Sequence, residues 1–126
     1  MVDIDDWAPE NEVPTKTTEI MPVFKRQTES FAELEQIHGP GAPAVYSLES
    51  ETVVVGRALD ADIRVNSLQV SRKHMSLTLV AGEHRCEDLE SRNGVYLNGI
   101  RMHSAILRQG DNIQVGDVVF IYHERR

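Results

Sequence analysis

From Ala44 onward, apolar and polar residues alternate or gather into short apolar runs, and turn-forming residues interrupt them roughly every eight to twelve positions. A period of two with such interruptions is typical of short β-strands joined by tight turns. The pattern predicts strands at residues 44–48, 52–56, 62–65, 74–80, 84–89, 95–97, 106–107, 112–115 and 118–123. Because no helical period separates these segments, we expect an all-β sandwich of two antiparallel sheets.

The same alternation predicts which side chains face the interior, because successive side chains of a strand point to opposite faces of its sheet. The expected core residues are Val53, Val55, Ile63, Val65, Leu77, Leu79, Val95, Leu97, Ile113, Val115, Val119 and Ile121. Asn-Gly and Gly-Asp pairs between these segments supply the turn residues that hairpins prefer.

The first 27 residues show neither a strand period nor a helical period, and Pro9, Pro14 and Pro22 interrupt them. Such a segment is expected to be disordered or extended. The sequence therefore predicts a flexible tail over residues 1–43 and a sandwich domain over residues 44–126.

One short helix is expected at the end of this tail. Ser30 and Glu33 have the spacing of a capping box, in which two side chains satisfy the first amide groups of a helix. Phe31, Leu34 and Ile37 then recur on one helical face before glycine and proline residues end the pattern.

The acidic residues are concentrated in the tail. The 126-residue chain has a net charge of −7, and residues 1–38 contain nine acids against only three bases, so the rest of the chain is nearly neutral. Two readings remain open: the tail is a solvated segment that aids solubility, or it folds back onto basic loops of the domain. Charge alone favours the solvated tail.

Cysteine and hydropathy patterns narrow the class of protein further. A single cysteine, Cys86, excludes an intramolecular disulfide framework and metal sites built from Cys-x-x-Cys motifs. No apolar run approaches the length of a membrane span, and the acidic start is unlike a signal peptide. We therefore expect a cytoplasmic protein without a membrane partner.

Three polar clusters stand where predicted strands end. They are Gly56-Arg57, Ser71-Arg72-Lys73-His74 and Ser91-Arg92-Asn93-Gly94. Loops at one end of a sandwich can converge, and together these would present guanidinium, hydroxyl, ammonium and carboxamide groups, which are the donors that a phosphate dianion needs.

The order and spacing of Gly-Arg, Ser-x-x-His and Ser-x-Asn-Gly resemble the forkhead-associated (FHA) domain, a phosphothreonine-binding β-sandwich, over roughly residues 44–123. The resemblance implies that Arg57, Ser71 and Arg72 bind the phosphate. Taken alone, Arg57 would be read as a surface arginine and Ser71 as a turn hydroxyl. A planar guanidinium directly after a buried strand can, however, grip two phosphate oxygens.

The resemblance also divides the remaining polar residues between two roles. Asn93, Arg92 and Lys73 are expected to contact the peptide, since a carboxamide pairs well with an extended backbone. Gly56, His74, Gly94 and Asn98 are expected to be structural.

This chain departs from the family at three positions near the site. The family often has Gly, Thr and Thr where this chain has Glu90, Arg92 and Val95. Arg92 adds a cation facing the ligand, whereas Glu90 adds an anion that either repels phosphate or tethers Arg92. We expect the core site to persist and the peptide preference to change.

The sequence disfavours two other classes of function. Ser71 and His74 suggest a nucleophile and its base, but no acid is placed to orient the imidazole, so a serine hydrolase is disfavoured. A nucleic-acid binder would need a basic face, which an isoelectric point near 5.1 opposes. The other histidines lack ligand spacing, so neither a metal nor a cofactor is expected.

The threonines of the tail suggest how the domain is regulated. Thr15, Thr17 and Thr18 lie in a stretch that a serine/threonine kinase could reach. FHA domains commonly select peptides by the residue three positions after the phosphothreonine. For Thr17 that residue is the apolar Ile20. We therefore expect a phosphothreonine peptide as ligand, most simply this chain's own tail phosphorylated at Thr17, with Thr18 and Thr15 as lesser candidates.

The expected output is regulatory rather than enzymatic. Bacterial FHA domains are often fused to effectors such as GGDEF diguanylate cyclases, so the chain is expected either to act alone as a kinase substrate or to be a fragment of a larger protein. The alternative to tail binding is an adaptor that binds a phosphothreonine of another protein.

Overall fold

The structure is a computed structural model that describes residues 31–125, which form one compact unit of strands and turns. The strands are β1 (Phe31–His38), β2 (Ala44–Leu48), β3 (Thr52–Gly56), β4 (Ile63–Arg64), β5 (Met75–Val80), β6 (Glu83–Asp88), β7 (Val95–Leu97), β8 (Ile100–Met102), β9 (Ser104–Ile106), β10 (Asn112–Val115) and β11 (Val118–Arg125). The expectation of an all-β sandwich is confirmed.

The strands form two sheets, of six strands in the order β2-β1-β11-β10-β7-β8 and of five strands in the order β4-β3-β5-β6-β9. Pairing is antiparallel except between β3 and β4, where Val55 lies opposite Ile63 in parallel register. The expectation of purely antiparallel sheets is wrong at this pair. After β3 the chain turns back and then forms β4 in the same direction as β3. Asp62 stabilises the connecting loop by accepting a hydrogen bond from Val54 N at 2.8 Å.

The core lies between the two sheets and is built largely from the alternating residues that the sequence predicts. Val53, Val55, Ile63, Val65, Leu77, Val95, Ile113 and Val115 are all buried. Packing these side chains together removes apolar surface from water, which is the main force that holds two sheets face to face.

The helix expected over residues 30–38 is wrong, because Phe31–His38 form strand β1, which pairs with both β2 and β11. Ala32, Leu34 and Gln36 alternate inward and are buried. Gln36 is a polar residue at an inward position of β1, so the apolar alternation of this strand is not visible in the sequence. Its burial is tolerated because its Nε2 donates to Pro40 O at 2.8 Å. The compact unit therefore begins at Phe31 rather than at residue 44.

Three further details of the strand pattern differ from expectation, and the first is Leu79, an expected core residue that is 40 % exposed. Strand β11 is apolar on both faces, and Val118, Phe120 and Tyr122 are the buried set, whereas Val119 and Ile121 point outward and are partly exposed. The short strand β8 after the Asn98-Gly99 turn was not predicted, since a three-residue strand carries too little alternation to identify.

The predicted tail residues up to Ser30, including the candidate phosphorylation sites Thr15, Thr17 and Thr18, lie outside the described residues. Within residues 31–125, no helix has the length and apolar character needed to cross a bilayer.

Candidate functional site

The first wall of the site consists of residues 56–58 and 71–72. It lies where the end of β3 contacts the loop that precedes β5. Arg57 N donates to Ser71 O at 3.0 Å and Ala58 N donates to Arg72 O at 3.0 Å, so the two segments lie side by side. Gly56 is required at this crossing, because a Cβ there would collide with Arg72 O. The close backbone approach fixes Arg57 and Ser71 next to each other.

His74 connects this wall to the third polar loop. Its Nδ1 accepts a hydrogen bond from Ser71 N at 3.0 Å, and its Nε2 donates to Gly94 O at 2.8 Å, which defines the neutral tautomer. Burial lowers the pKa of His74, against the opposing effects of the Gly94 carbonyl and the Asp88 carboxylate. The imidazole is therefore a neutral crosslink between two loops.

The third loop is held by its own side chains and by Ser71. Asp88 Oδ1 accepts from Ser91 N at 2.9 Å, and Ser91 Oγ accepts from Gly94 N at 2.9 Å. Arg92 N donates to Ser71 Oγ at 3.0 Å, which joins this loop directly to the first wall. The loop is thereby fixed in a single conformation at the edge of the site.

Two residues of this loop adopt positive φ angles. Gly94 has φ of 81°, which a glycine adopts without strain, and Glu90 has φ of 56°, which is uncommon for a residue with a Cβ. The family's frequent glycine at the Glu90 position has a physical basis here, because the left-handed conformation is the one that this turn uses.

The loops enclose an open cavity of about 230 Å³. It is lined by Arg57, Leu68, Gln69, Val70, Ser71, Arg72, Arg92 and Asn93. Arg57 Nε donates to Val70 O at 3.0 Å, and Asn93 Nδ2 donates to Gln69 O at 2.7 Å. Backbone carbonyls of residues 69–70 thus orient the polar side chains of Arg57 and Asn93, which both line the cavity.

The cations around the cavity are not neutralised by neighbouring acids. Within residues 31–125, Arg108 pairs with Glu83 and His123 pairs with Glu35, and neither of these pairs lines the cavity. Arg57, Arg72 and Arg92 therefore give the cavity a positive electrostatic potential that favours an anionic ligand.

Most of the residues singled out in the sequence meet at this cavity. Arg57, Ser71, Arg72, Arg92 and Asn93 line it, while Gly56, His74 and Gly94 lie behind its walls. Lys73 is exposed nearby but is not part of the lining.

Asn98 lies elsewhere, at the opposite end of β10. Its side chain donates to Asp111 Oδ1 at 3.0 Å and accepts from Asn112 N at 2.9 Å, so it joins the β7–β8 turn to the start of β10. Sequence reasoning missed Leu68, Gln69 and Val70. The signal for Leu68 was an apolar side chain just before the Ser71 cluster, and it is 90 % exposed.

The geometry opposes the hydrolase interpretation. The Nδ1 lone pair of His74 is occupied by the backbone N–H of Ser71, and Ser71 Oγ accepts from Arg92 N instead of donating to the imidazole. A serine nucleophile needs a base that takes its hydroxyl proton. Within the described part of the chain, no group of three or more His, Cys, Asp or Glu side chains is placed to hold a metal ion.

Comparison with known proteins agrees with this architecture. The FHA domain family matches residues 53–116. Over 84 residues the chain is 36 % identical to the glycogen accumulation regulator GarA of Mycolicibacterium smegmatis, covering 67 % of this chain and 53 % of that protein. Over 94 residues it is 33 % identical to the oxoglutarate dehydrogenase inhibitor of Corynebacterium jeikeium, covering 75 % of this chain and 65 % of that protein. The chain thus spans between half and two thirds of the length of these relatives.

Solved structures are similar as well. Mycobacterium tuberculosis EmbR in complex with a low affinity phosphopeptide matches with a TM-score of 0.69 and 30 % identity, covering 74 % of this chain and 24 % of that one. A structure from a study of phosphothreonine-dependent FHA domain interactions matches with a TM-score of 0.68 and 27 % identity, covering 74 % of this chain and 95 % of that one. The fold, the loop geometry and these matches together show that the chain belongs to the FHA domain family.

Proposed function

We propose that the cavity binds the phosphothreonine side chain of an extended peptide, with Arg57, Ser71 and Arg72 as the phosphate ligands. The observation that carries the proposal is the convergence of these three residues, from two loops, on one open cavity whose described lining residues include no acid. A phosphate carries about −1.5 to −2 charges at pH 7 and three acceptor oxygens, which match this set of donors.

The hydrogen bonds within the site leave the useful donors available. Arg57 uses Nε to reach Val70 O, so its two terminal amino groups can form the bidentate contact that guanidinium groups make with phosphate. Ser71 Oγ accepts from Arg92 N, so its own proton can be donated to a phosphate oxygen. Arg72 supplies a second cation to the same cavity.

Asn93, Arg92 and Lys73 are proposed to contact the peptide around the phosphothreonine. Asn93 uses one amide proton for Gln69 O, and its second amide proton and its carbonyl oxygen can pair with a peptide bond. Such pairing would fix the register of an extended peptide. Lys73 lies outside the lining, so its contribution is expected to be long-range attraction.

Isothermal calorimetry with three peptides of one sequence tests the proposal. The peptides carry phosphothreonine, phosphoserine or unmodified threonine at one position. We expect binding of the phosphothreonine peptide and at least tenfold weaker binding of the unmodified peptide, about 1.4 kcal/mol or more. Equal binding of phosphorylated and unmodified peptides would contradict phosphate recognition, and equal binding of the two phosphopeptides would remove only the preference for threonine.

A finer proposal is that the ligand is the tail of this chain, phosphorylated at Thr17, with Thr18 and Thr15 as lesser candidates. Thr17 places the apolar Ile20 three positions after the phosphate, as the family resemblance favours. Capture of the phosphorylated tail would occupy the cavity and thereby switch the domain's access to other partners.

Reach is a real constraint on this proposal, because β1 belongs to the sheet and only 13 residues separate Thr17 from Phe31. Those residues span at most about 45 Å when extended, and about 20 Å as a random coil. Phe31 is at the start of β1, whereas the end of β1 at His38 contacts Asp117 in the turn beside the cavity loops, about 24 Å farther along the strand. Thr17 can reach the cavity, but only with a partly extended connection.

Chemical-shift mapping of the kinase-phosphorylated protein tests tail capture. We expect the amide resonances of Arg57, Ser71 and Asn93 to shift on phosphorylation, and a Thr17→Ala variant treated identically to lose that shift. Unshifted resonances would exclude tail capture. Shifts that disappear on dilution would indicate that each tail occupies the site of a second copy.

The second candidate is an adaptor that binds phosphothreonine on another protein and regulates an enzyme. It is favoured by the names of the relatives, which include a regulator of glycogen accumulation and an inhibitor of oxoglutarate dehydrogenase. Under this proposal the regulated enzyme is a separate metabolic enzyme. A fused effector such as a GGDEF diguanylate cyclase and a cytoplasmic location stay predictions from the sequence.

A further inference from the structure

The loop of residues 67–70 contains the carbonyls of Gln69 and Val70, which accept hydrogen bonds from Asn93 and Arg57. This loop packs against the turn between β10 and β11. Ser67 is 93 % buried, with an exposed fraction of 7 %, and its hydroxyl donates to Asp117 Oδ1 at 2.6 Å. That separation is typical of a charge-assisted O–H···O⁻ hydrogen bond, which is stronger than a bond between neutral groups.

Ser67 transmits this anchor to the loop through its own hydrogen bonds. Its Oγ accepts from Gln69 N at 3.2 Å, and its carbonyl oxygen accepts from Val70 N at 3.1 Å. The conformation of residues 67–70, and hence the direction of the carbonyls of Gln69 and Val70, depends on where Ser67 is held.

The turn on the other side of the contact is itself fixed. His38 Nδ1 donates to Asp117 O at 3.1 Å, which ties the turn to the end of β1. Gly116 has φ of 62°, and a Cβ at that position would lie 2.7 Å from Gln69 O. The backbones of the turn and of the loop are therefore packed directly against each other, and an anchored turn can set the position of the loop.

We propose that Asp117 is a positioning residue for phosphopeptide binding, acting through Ser67 on the carbonyls that orient Arg57 and Asn93. Val70 O receives Arg57 Nε at 3.0 Å, and Gln69 O receives Asn93 Nδ2 at 2.7 Å. The same short loop therefore orients the proposed phosphate ligand and the proposed peptide ligand. This inference rests on the proposed function of the cavity.

Sequence alone does not reveal this role. Asp117 is 60 positions from Arg57 along the chain and has the ordinary appearance of a turn residue after glycine. Only the sheet topology, which brings the β10–β11 turn behind residues 67–70, connects the two.

The test compares Asp117→Ala with Asp117→Asn and with Asp111→Ala as a matched control. Asparagine keeps an oxygen that accepts the Ser67 proton, so Asp117→Asn should restore most of what alanine loses. Asp111 is also a turn aspartate, at the opposite end of β10, where its carboxylate accepts from Asn98 Nδ2 at 3.0 Å and Arg108 N at 2.7 Å.

Two readouts are needed, one with ligand and one without. The first is the dissociation constant for the phosphothreonine peptide, which we expect Asp117→Ala to raise about threefold to tenfold, as for a lost hydrogen bond, while Asp111→Ala leaves it unchanged. The second is the Arg57 Nε–H resonance of the ligand-free protein, which should shift in Asp117→Ala and return towards the parent position in Asp117→Asn.

The possible results distinguish a failure of the proposed function from a failure of the positioning role of Asp117. A parent that does not prefer the phosphorylated peptide overturns the proposed function and the positioning role with it. If the parent does prefer it, an unchanged affinity or an unshifted Arg57 resonance in Asp117→Ala overturns only the positioning role. A loss of affinity that is equal in Asp117→Ala and Asp111→Ala also overturns it, because stability rather than position would then be the cause.

If Asp117→Ala does not fold, Gly116→Ala provides the second probe. Its Cβ would lie 2.7 Å from Gln69 O, the carbonyl that orients Asn93, and no hydrogen bond of the anchor would be removed, so the Asn93 side-chain amide resonance and the affinity should still change. A folded Gly116→Ala protein with parental affinity would contradict the inference.

Discussion

The two ends of the sandwich differ in whether their arginines form ion pairs. We define the binding end as residues 56–58, 67–74, 91–94 and 116–117, and the far end as residues 98–99 and 107–111. At the binding end, Arg57, Arg72 and Arg92 have no carboxylate partner among residues 31–125, whereas at the far end Arg108 pairs with Glu83 at 3.4 Å. An exposed pair of this kind contributes about 0–1 kcal/mol, so little stability is given up by leaving the binding-end cations unpaired. Their charge remains available for a ligand.

The two buried histidines show the same contrast. At the binding end, His74 uses both ring nitrogens, to Ser71 N and to Gly94 O. Nearer the far end, His84 contacts Tyr122 through Nδ1 at 2.8 Å, and its buried Nε2 has no hydrogen-bond partner among the described residues. Fully satisfied polar networks fix one conformation, whereas partly satisfied ones are less restrictive. The rigid network surrounds the site, where ligand geometry requires it.

The largest effect is expected from His74→Ala. It leaves Ser71 N and Gly94 O without partners, at about 1–3 kcal/mol each, so the free energy of unfolding should fall by about 2–6 kcal/mol. His84→Ala loses a single hydrogen bond and should cost less. Urea unfolding measures both changes, and calorimetry on the folded variants should show weaker phosphopeptide binding for His74→Ala alone. Equal losses of stability, or parental affinity in folded His74→Ala, would remove the contrast between the two histidines.

Arg57→Ala should have the next largest effect, on affinity rather than stability. Losing a charge-assisted contact to phosphate removes about 1.5–3 kcal/mol, or roughly tenfold to more than a hundredfold in affinity. Arg108→Ala is the matched control at the far end and should leave affinity unchanged. Calorimetry with the phosphothreonine peptide decides between them, and parental affinity in Arg57→Ala would refute its role as a phosphate ligand.

Much of the binding end could be predicted from the sequence because its residues are local in the chain. Gly56-Arg57 and Ser71-Arg72 follow from short motifs, and the strands between them alternate clearly. What failed was non-local. The sequence of β1 predicts a helix because Gln36 interrupts its alternation, and the burial of that glutamine is tolerated only through hydrogen bonds that the fold supplies.

The outward residues of β11 were misassigned for a related reason. A strand that is apolar on both faces gives no sequence signal of which face is buried, so Val119 and Ile121 could not be distinguished from Val118 and Phe120. The role proposed for Asp117 was invisible for the same kind of reason, because it depends on the topology that packs one turn behind another loop.

A moderate effect is expected from acidification. Burial lowers the pKa of both His74 and His84, while nearby carboxylates partly oppose this. The unfolded chain therefore binds protons more readily, and the histidine contribution to stability is fully present above about pH 6.5 and is lost as the pH falls through the lower folded pKa values. Each histidine can contribute a slope of at most about 1.4 kcal/mol per pH unit.

Urea unfolding between pH 7.5 and 5.0 measures this slope, and His84→Gln sharpens the comparison because glutamine can hydrogen-bond to the Tyr122 hydroxyl but does not titrate. The variant should lose only the His84 share, leaving the His74 share in place. NMR titration of the two imidazoles provides an independent check. A stability that stays constant over this range, or a titration of either ring above pH 6.5, would contradict the prediction.

The smallest effect is expected from Lys73→Ala. Lys73 is exposed beside the cavity but does not line it, so it should attract the phosphopeptide through solvent without a direct contact. Interactions of this kind are worth about 0.2–1 kcal/mol and are screened by salt, so affinity should fall by up to about fivefold in dilute buffer and match the parent near 1 M salt. Arg85→Ala, which removes an exposed cation from β6, is the control and should have no effect. The Arg57→Ala loss should persist in high salt, because it reflects a contact. If the Lys73→Ala loss persisted equally, Lys73 would belong with the direct ligands, and the cavity would extend farther along the loop than the structure shows.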